Sequence, residues 1–279
     1  MTSPLLSVDG LSKHFPVDSS DWLAPKQTLR AVDGVSFTLG SRETLGLVGE
    51  SGCGKSTTGR LILRLIEPTA GTVRFDGQDL ATIPKEDLRR LRRSMQIIFQ
   101  DPQASLNPRH RVEDLILEPL YAQGEAPSAE LTRYAGDLLE KVGLSRRHLS
   151  RFPHEFSGGQ RQRIGIARAI APKPRLIICD EAVSALDVSI QAQVIALLDS
   201  LRQRLGISFL FIAHDLGVVR DFADTVIVMN KGEIVESGPT AQIFDNPQHA
   251  YTQRLLAANL DPDPDVQAQR RASSSLTNA

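Results

Sequence analysis

Cysteine is nearly absent: the 279 residues hold two, Cys53 and Cys179. Two thiols cannot make a disulfide framework for a chain of this length, so a reducing cytoplasm is the simplest setting. Excess charge is also missing. The 32 Lys and Arg face 33 Asp and Glu, a formal net charge of -1, which gives no support for DNA or RNA binding. Long apolar runs are lacking too. The longest, such as Ser208 to Ala213, are strand-length, and none approaches the roughly 18 residues that span a bilayer. The first residues lack the basic-then-apolar form of a signal peptide. Any membrane role is therefore expected to be that of a peripheral subunit. What is present is 41% hydrophobic residues, enough to bury a sizeable core in one large domain or two lobes.

Strand-like runs recur at Leu5 to Val8, Val35 to Leu39, Thr44 to Val48, Thr72 to Phe75, Met95 to Phe99, Leu176 to Cys179, Ser208 to Ala213 and Thr225 to Met229. Pro16 to Leu29, rich in Ser, Asp and Pro, reads as a loop insertion. Helical spacing marks Thr58 to Ile66, Val112 to Leu120, Leu131 to Val142 and Ile190 to Leu205. Strand signals are scarce from Pro102 to Arg163, a candidate helical lobe. Strands alternating with helices predict an α/β fold with a mainly parallel sheet. From Asp261 onward the composition predicts a frayed tail. The run Arg89, Arg90, Arg92 and Arg93 has no aromatic partners in sequence, and reads as a solvated helix face rather than a nucleic-acid patch.

Gly49, Glu50, Ser51, Gly52, Cys53, Gly54, Lys55 and Ser56 fit the P-loop pattern G-x-x-x-x-G-K-[ST], with Thr57 following. An apolar strand precedes the run and a helix follows it. The glycines let the backbone curl so that N–H groups point at phosphate oxygens, and the helix N-terminus adds its positive end. Lys55 would neutralise the β- and γ-phosphates, and Ser56 would offer its hydroxyl to Mg²⁺. Cys53 sits at a variable position as a small spacer. Further on, Arg175 to Glu181 is an apolar strand ending in two acids. Asp180 at its carboxyl end would hold Mg²⁺ through water, and Glu181 would act as general base on the attacking water. Alone this is weak evidence; paired with the P-loop it is strong.

A third element decides the class. Phe156, Ser157, Gly158, Gly159 and Gln160 precede a helical pattern, and a Ser-Gly-Gly helix start is another anion site. P-loop, Ser-Gly-Gly-Gln and acidic strand in this order resemble the ATP-binding-cassette (ABC) family, from about Leu5 to Leu256. The resemblance implies a P-loop NTPase core, an N-terminal antiparallel β subdomain and an inserted helical subdomain at about 102–165. It leaves 257–279 as a flexible tail. It makes Ser157 to Gln160 the signature loop, with Phe156 where Leu is usual. It makes Gln100 the Q-loop glutamine, touching Mg²⁺ and water, and Asp187 in Ser184-Ala185-Leu186-Asp187 the D-loop residue. His214 matches the switch histidine near the γ-phosphate, and Phe15 the aromatic that stacks on adenine. Ala182 and Val183 replace a commoner Pro-Thr or Pro-Ser pair.

The resemblance further implies MgATP as ligand and a head-to-tail pair of cassettes, in which each P-loop faces the other chain's signature loop. The second cassette would be identical or homologous. Two transmembrane permease subunits and an extracytoplasmic solute-binding protein would complete the assembly at the cytoplasmic face of the membrane, with no nucleic acid. Gln100 to Arg109, Ser184 to Val194, Asn246 to Thr252 and Pro262 to Asp265 resemble the oligopeptide and dipeptide importer branch. That branch also includes nickel and glutathione carriers. Many of its members continue into a Cys-containing C-terminal segment; no cysteine follows Cys179 here, so no iron–sulfur cluster is expected. A non-transport cassette usually carries two cassettes, zinc-type cysteines or long coiled coils, none of which this sequence has. A P-loop kinase or GTPase would not carry the signature loop.

Overall fold

Where both faces of a strand are to be buried, its residues are apolar without alternation. Thr44–Val48, Leu176–Asp180 and Ser208–Ile212 follow that rule and are buried at every position. They lie side by side at the centre of the protein. The computed structural model describes residues 3–17, 27–101, 105–184 and 186–259, with strands and helices numbered below in chain order.

Two sheets organise the chain. In the smaller, β1 (Leu6–Val17) lies antiparallel between β2 (Gln27–Leu39) and β4 (Ala70–Phe75), with β5 (Gln78–Asp79) outside β4. The larger has the order β10 (Glu233–Pro239), β9 (Thr225–Asn230), β3 (Thr44–Val48), β8 (Ser208–Ile212), β7 (Leu176–Asp180), β6 (Met95–Ile98). Its strands are parallel except β10, which returns from β9 through Lys231-Gly232. Both turn residues have positive φ, 47° and 89°, the geometry that closes a two-residue hairpin with the sheet's twist. The helices are α1 (Lys55–Ile62), α2 (Lys85–Leu91), α3 (Val112–Tyr121), α4 (Ala129–Lys141), α5 (Gly158–Ile170), α6 (Val188–Leu205), α7 (Leu216–Phe222), α8 (Thr240–Asp245) and α9 (Ala250–Asn259).

Alternation along the parallel strands sends side chains into two cores. On one face Leu45, Leu47, Ile178, Leu210 and Ile212 join α1 and the antiparallel sheet through Leu61, Ile62, Leu6 and Phe75. On the other, Ile177, Cys179, Phe209 and Phe211 meet the helical layer through Ile116, Leu139, Ile166 and Leu198. The result is the α/β architecture expected, with one mostly parallel sheet, one antiparallel sheet and helices between β6 and β7.

Two local expectations change. The loop read at Pro16 to Leu29 is shorter, because β1 and β2 pair as far as Val17 with Gln27; its residues 18–26 lie outside the described residues. Cross-strand pairing overrides the polar composition there. The first helix begins at Lys55 and ends at Ile62, rather than running from Thr58 to Ile66. Arg64 adopts φ 53°, and the N–H groups of Arg64 and Leu65 close on the carbonyls of Leu61 and Arg60. That is a Schellman end built without glycine. Arg89 and Arg90 lie exposed on α2, and Arg92 and Arg93 follow it; their guanidinium groups reach mainly main-chain carbonyls and carboxylates nearby.

Candidate functional site

Parallel register gathers the candidate residues at one sheet edge. Ile98 on β6 pairs with Cys179 on β7, and Asp180 pairs with Ile212 on β8. Two residues past Ile98 and Cys179 come Gln100 and Glu181; two past Ile212 comes His214. Leu47 on β3 also pairs with Ile212, so the loop after Val48 starts at the same edge. Ligands bind at the carboxyl ends of such strands.

The P-loop is shaped by contacts that exclude side chains. A Cβ on Gly49 would lie 2.2 Å from the Met229 carbonyl oxygen, and one on Gly54 2.1 Å from that of Ala31. Their φ values are 150° and 107°, and the second lies where only glycine is at ease. Gly54 is the N-cap of α1 and places no side chain over the helix start, leaving the first N–H groups of α1 directed at an incoming anion. Lys55 is 4% exposed. Its Nζ donates to the carbonyls of Gly49 at 2.8 Å and Glu50 at 2.9 Å, so no carboxylate neutralises it through those bonds. Cys53 is buried and its thiol is pushed up by burial, more than the neighbouring Lys55 pulls it down. Cys179, wholly buried in β7, is pushed up far more strongly by the same cause. Neither thiol has the exposed, electropositive setting of a nucleophile.

Around the loop's mouth the polar groups interlock. Ser56 Oγ donates to Asp180 Oδ1 at 2.6 Å. Gln100 Nε2 donates to Glu181 Oε2 at 2.7 Å, and His214 Nδ1 stands 3.9 Å from the same oxygen. Glu181 holds φ 49° and its N–H donates to the Ile212 carbonyl, a strained turn that aims the side chain off the strand end. A cavity of about 330 Å³ is lined by Ser56, Arg60, Phe99, Gln100, Asp101, Ser105 and Asp180.

Lys55, Ser56, Asp180, Gln100, Glu181 and His214 are thus brought together. Phe15 is half-buried on β1 opposite Leu29, with Lys13 Nζ 5.2 Å above its ring. Its strand partner β2 carries Ala31, which packs on Gly54. Ser157 to Gln160 are not brought to the P-loop. They open α5 beside Leu186 and Ile190, where Ser157 Oγ accepts from the Gln160 N–H and Gln160 Oε1 from the Ser157 N–H. Among the described residues no hydrogen bond joins this loop to Gly49–Thr57. Asp187 is exposed at the start of α6. Phe156, in place of Leu, is buried edge-on to His148 at 5.3 Å and beneath Arg151 at 5.0 Å. Ala185, Pro102 to Ala104, and Pro262 to Asp265 with the rest of the tail from residue 260 lie outside the described residues.

The ABC transporter model matches residues 32–184. The chain belongs to the ABC transporter ATP-binding family. A second model, for the C-terminal region of oligopeptide/dipeptide transporters, matches residues 235–278. The cassette is 52% identical over 269 residues to a putative peptide import ATP-binding protein of Brucella ovis, covering 96% of this chain and 83% of that one. It is 50% identical over 272 residues to the oligopeptide transport ATP-binding protein OppF of Bacillus subtilis, covering 97% and 87%. It is 51% identical over 268 residues to the glutathione import ATP-binding protein GsiA of Escherichia coli O157:H7, covering 96% of this chain and 43% of that one. The ATP-binding cassette MJ0796, solved as a dimer in a post-hydrolysis state with ADP and Pi, superposes with a TM-score of 0.74 at 26% identity, covering 84% and 98%. The cassette is an ATP-hydrolysing subunit of an ABC transporter. No helix among the described residues is long and apolar enough to cross a membrane.

One contact with the P-loop went unforeseen. The N–H of Glu50 donates to the hydroxyl of Tyr251, at the start of α9. The residues lie 201 positions apart, so no local pattern signals the pairing.

Proposed function

We propose that this cassette drives import of di- or oligopeptides, with the convergence of Lys55, Ser56, Asp180, Gln100, Glu181 and His214 at one sheet edge as its catalytic half-site. The observation that carries the chemistry is the interlocked mouth of the P-loop. The match of residues 235–278 to the oligopeptide/dipeptide C-terminal region supports the peptide branch.

The ligand is ATP with Mg²⁺. Ser56 and Asp180 offer hard oxygens 2.6 Å apart beside the loop, which suits a hard divalent cation; neither thiol competes, since Cys53 turns toward Lys55 and Cys179 lies in the core. Gln100 supplies a further amide oxygen. When bound, Mg²⁺ would neutralise charge on the β- and γ-phosphate oxygens. The backbone from Gly49 to Thr57 cradles the phosphates, Lys55 adds the compensating charge, and Phe15 stacks on the adenine. Glu181 takes a proton from water as the water oxygen bonds to the γ-phosphorus, and the bond to the ADP oxygen breaks. His214 steadies the γ-phosphate oxygens, and the products are ADP and phosphate.

The half-site is completed in trans. Ser157 to Gln160 and Asp187 of a second cassette, identical or homologous, cover the γ-phosphate. The chain is peripheral on the cytoplasmic face of the membrane, attached to two permease subunits and fed by an extracytoplasmic solute-binding protein. Gln100, whose amide holds Glu181, lets the Q-loop report the permease's position to the base. The likeness to GsiA favours glutathione as the second reading.

Reconstitution with the permease and binding protein in vesicles tests this. Peptide-loaded binding protein is expected to raise ATP hydrolysis and peptide uptake together. Stimulation by glutathione alone would move the solute to the second reading, and uptake without ATP would refute the motor.

A further inference from the structure

The peptide unit joining Gly49 to Glu50 is held from both sides. Its carbonyl, that of Gly49, accepts from Lys55 Nζ at 2.8 Å, and its N–H, that of Glu50, donates to Tyr251 Oη at 3.1 Å; the next carbonyl, that of Glu50, accepts from Lys55 Nζ at 2.9 Å. Turning this peptide would break the bond to Lys55, the cation that meets the phosphates. Tyr251 is itself fixed. It is 5% exposed and belongs to the core beside Leu255 and Leu256. Its N–H donates to His249 Nδ1 at 3.1 Å.

The start of α9 is tied in turn to β10. The Glu236 carboxylate accepts from the N–H of Gln248 at 2.7 Å and of His249 at 3.0 Å. Burial works against that charge, but the neighbouring Thr252 hydroxyl and these two amides outweigh it and hold the carboxyl below its ordinary value. A continuous set of bonds therefore runs from β10 through Glu236, His249, Tyr251 and Glu50 to Lys55. All but the last two residues fall within the stretch matched by the oligopeptide/dipeptide C-terminal model.

We propose that Tyr251 is a positioning residue of the phosphate loop, through which the C-terminal region sets the cassette's affinity for nucleotide. The inference rests on the reading of Gly49–Thr57 as the nucleotide site. A tyrosine serving only as core filler needs its ring; this role needs its hydroxyl. Tyr251→Phe keeps the ring and removes one part-buried hydrogen bond to the loop's backbone.

The test is a titration of the full chain with methylanthraniloyl-ATP, beside steady-state hydrolysis and thermal melting. One lost hydrogen bond at this part-buried site corresponds to about a fivefold to tenfold change in affinity. Tyr251→Phe is expected to raise Kd and KM by that factor, with kcat within about twofold and Tm nearly unchanged. A Kd within twofold of wild type would overturn the proposal, and so would a loss of Tm with no KM change. Glu236→Gln supplies the second arm. It should weaken binding in the wild-type background and add nothing to Tyr251→Phe, because both act through one bond; additive losses would overturn the route. Wild type and Lys55→Ala run in the same titration. If wild type bound no nucleotide, the site itself would be misassigned. If wild type bound and Lys55→Ala did not, an unaffected Tyr251→Phe would sink this inference alone.

Discussion

Replacing Glu181 by Gln should remove the proposed base and little else. The side chain is 16% exposed and its partners are named: Gln100 Nε2 at 2.7 Å and His214 Nδ1 at 3.9 Å, both on Oε2. A glutamine amide oxygen accepts the same bond from Gln100. The shape is conserved, so the φ of 49° at this position is neither relieved nor worsened. The hydrogen bond changes from charge-assisted to neutral, a loss of about 1 kcal/mol at a partly exposed site. General-base catalysis is worth about 10²–10⁴ in rate, or about 2.7–5.5 kcal/mol of barrier. The catalytic effect therefore exceeds the structural one by at least twofold in free energy. Single-turnover phosphate release should fall at least about a hundredfold, while nucleotide affinity changes by less than about sixfold. ATP should then accumulate the paired form, seen by size-exclusion chromatography in ATP. Hydrolysis at the wild-type rate would refute the base assignment. A parallel collapse of ATP binding would make Glu181 a structural residue instead.

Gly54→Ala should damage the loop itself, because the added Cβ falls 2.1 Å from the Ala31 carbonyl and φ is 107°. The backbone conformation alone costs about 1–3 kcal/mol. Weakened ATP binding with a lower melting temperature is expected, and wild-type affinity would refute the cradle. Lys55→Ala should abolish nucleotide binding in the same titration, since it removes the buried cation at the loop; retained affinity would sink its role. Ser157→Arg should cripple hydrolysis, by about a hundredfold or more if the lost contacts match the loss of one oxyanion-stabilising donor. ATP binding to the isolated chain should stay within a few fold, because Ser157 is exposed and its hydrogen bonds run to Gln160 rather than to its own P-loop. Equal loss of both would argue against action in trans.

The sheet edge was legible because its strands bury both faces and so stay uniformly apolar: Thr44–Val48, Leu176–Asp180 and Ser208–Ile212 leave no ambiguity of period. The fold then pairs them in parallel with β6, half-buried in its middle, and that pairing brings Gln100, Glu181 and His214 together. The antiparallel sheet was harder to read. β1 shifts register between Val8 and Leu11, between Leu11 and Lys13, and between Lys13 and His14, so its alternation breaks repeatedly. Leu65 and Ile66 continue the helical spacing beyond the end of α1, whereas Arg64 takes the left-handed conformation usually left to glycine. Tyr251 could be noticed as part of a branch-specific stretch, but only the fold brings its hydroxyl to Glu50.

The two anion-directed helix starts of this chain differ in a way that bears on the paired arrangement. Gly54 offers α1 no side-chain cap, so the first N–H groups there remain to be satisfied by a ligand. Ser157 caps its own helix: its Oγ accepts from the Gln160 N–H, while Gln160 Oε1 accepts from the Ser157 N–H. With that oxygen acting as acceptor, the hydroxyl's one hydrogen is left to donate outward, toward whatever the exposed loop meets. In the proposed site the first start would surround a phosphate and the second would touch one. Within a single chain no hydrogen bond among the described residues joins the two loops; in the paired arrangement proposed above, one phosphate would be served by both from different chains. An arginine at position 157 would fill the space where the proposed outward contact would form, which is why its effect should fall on hydrolysis and spare the chain's own grip on ATP.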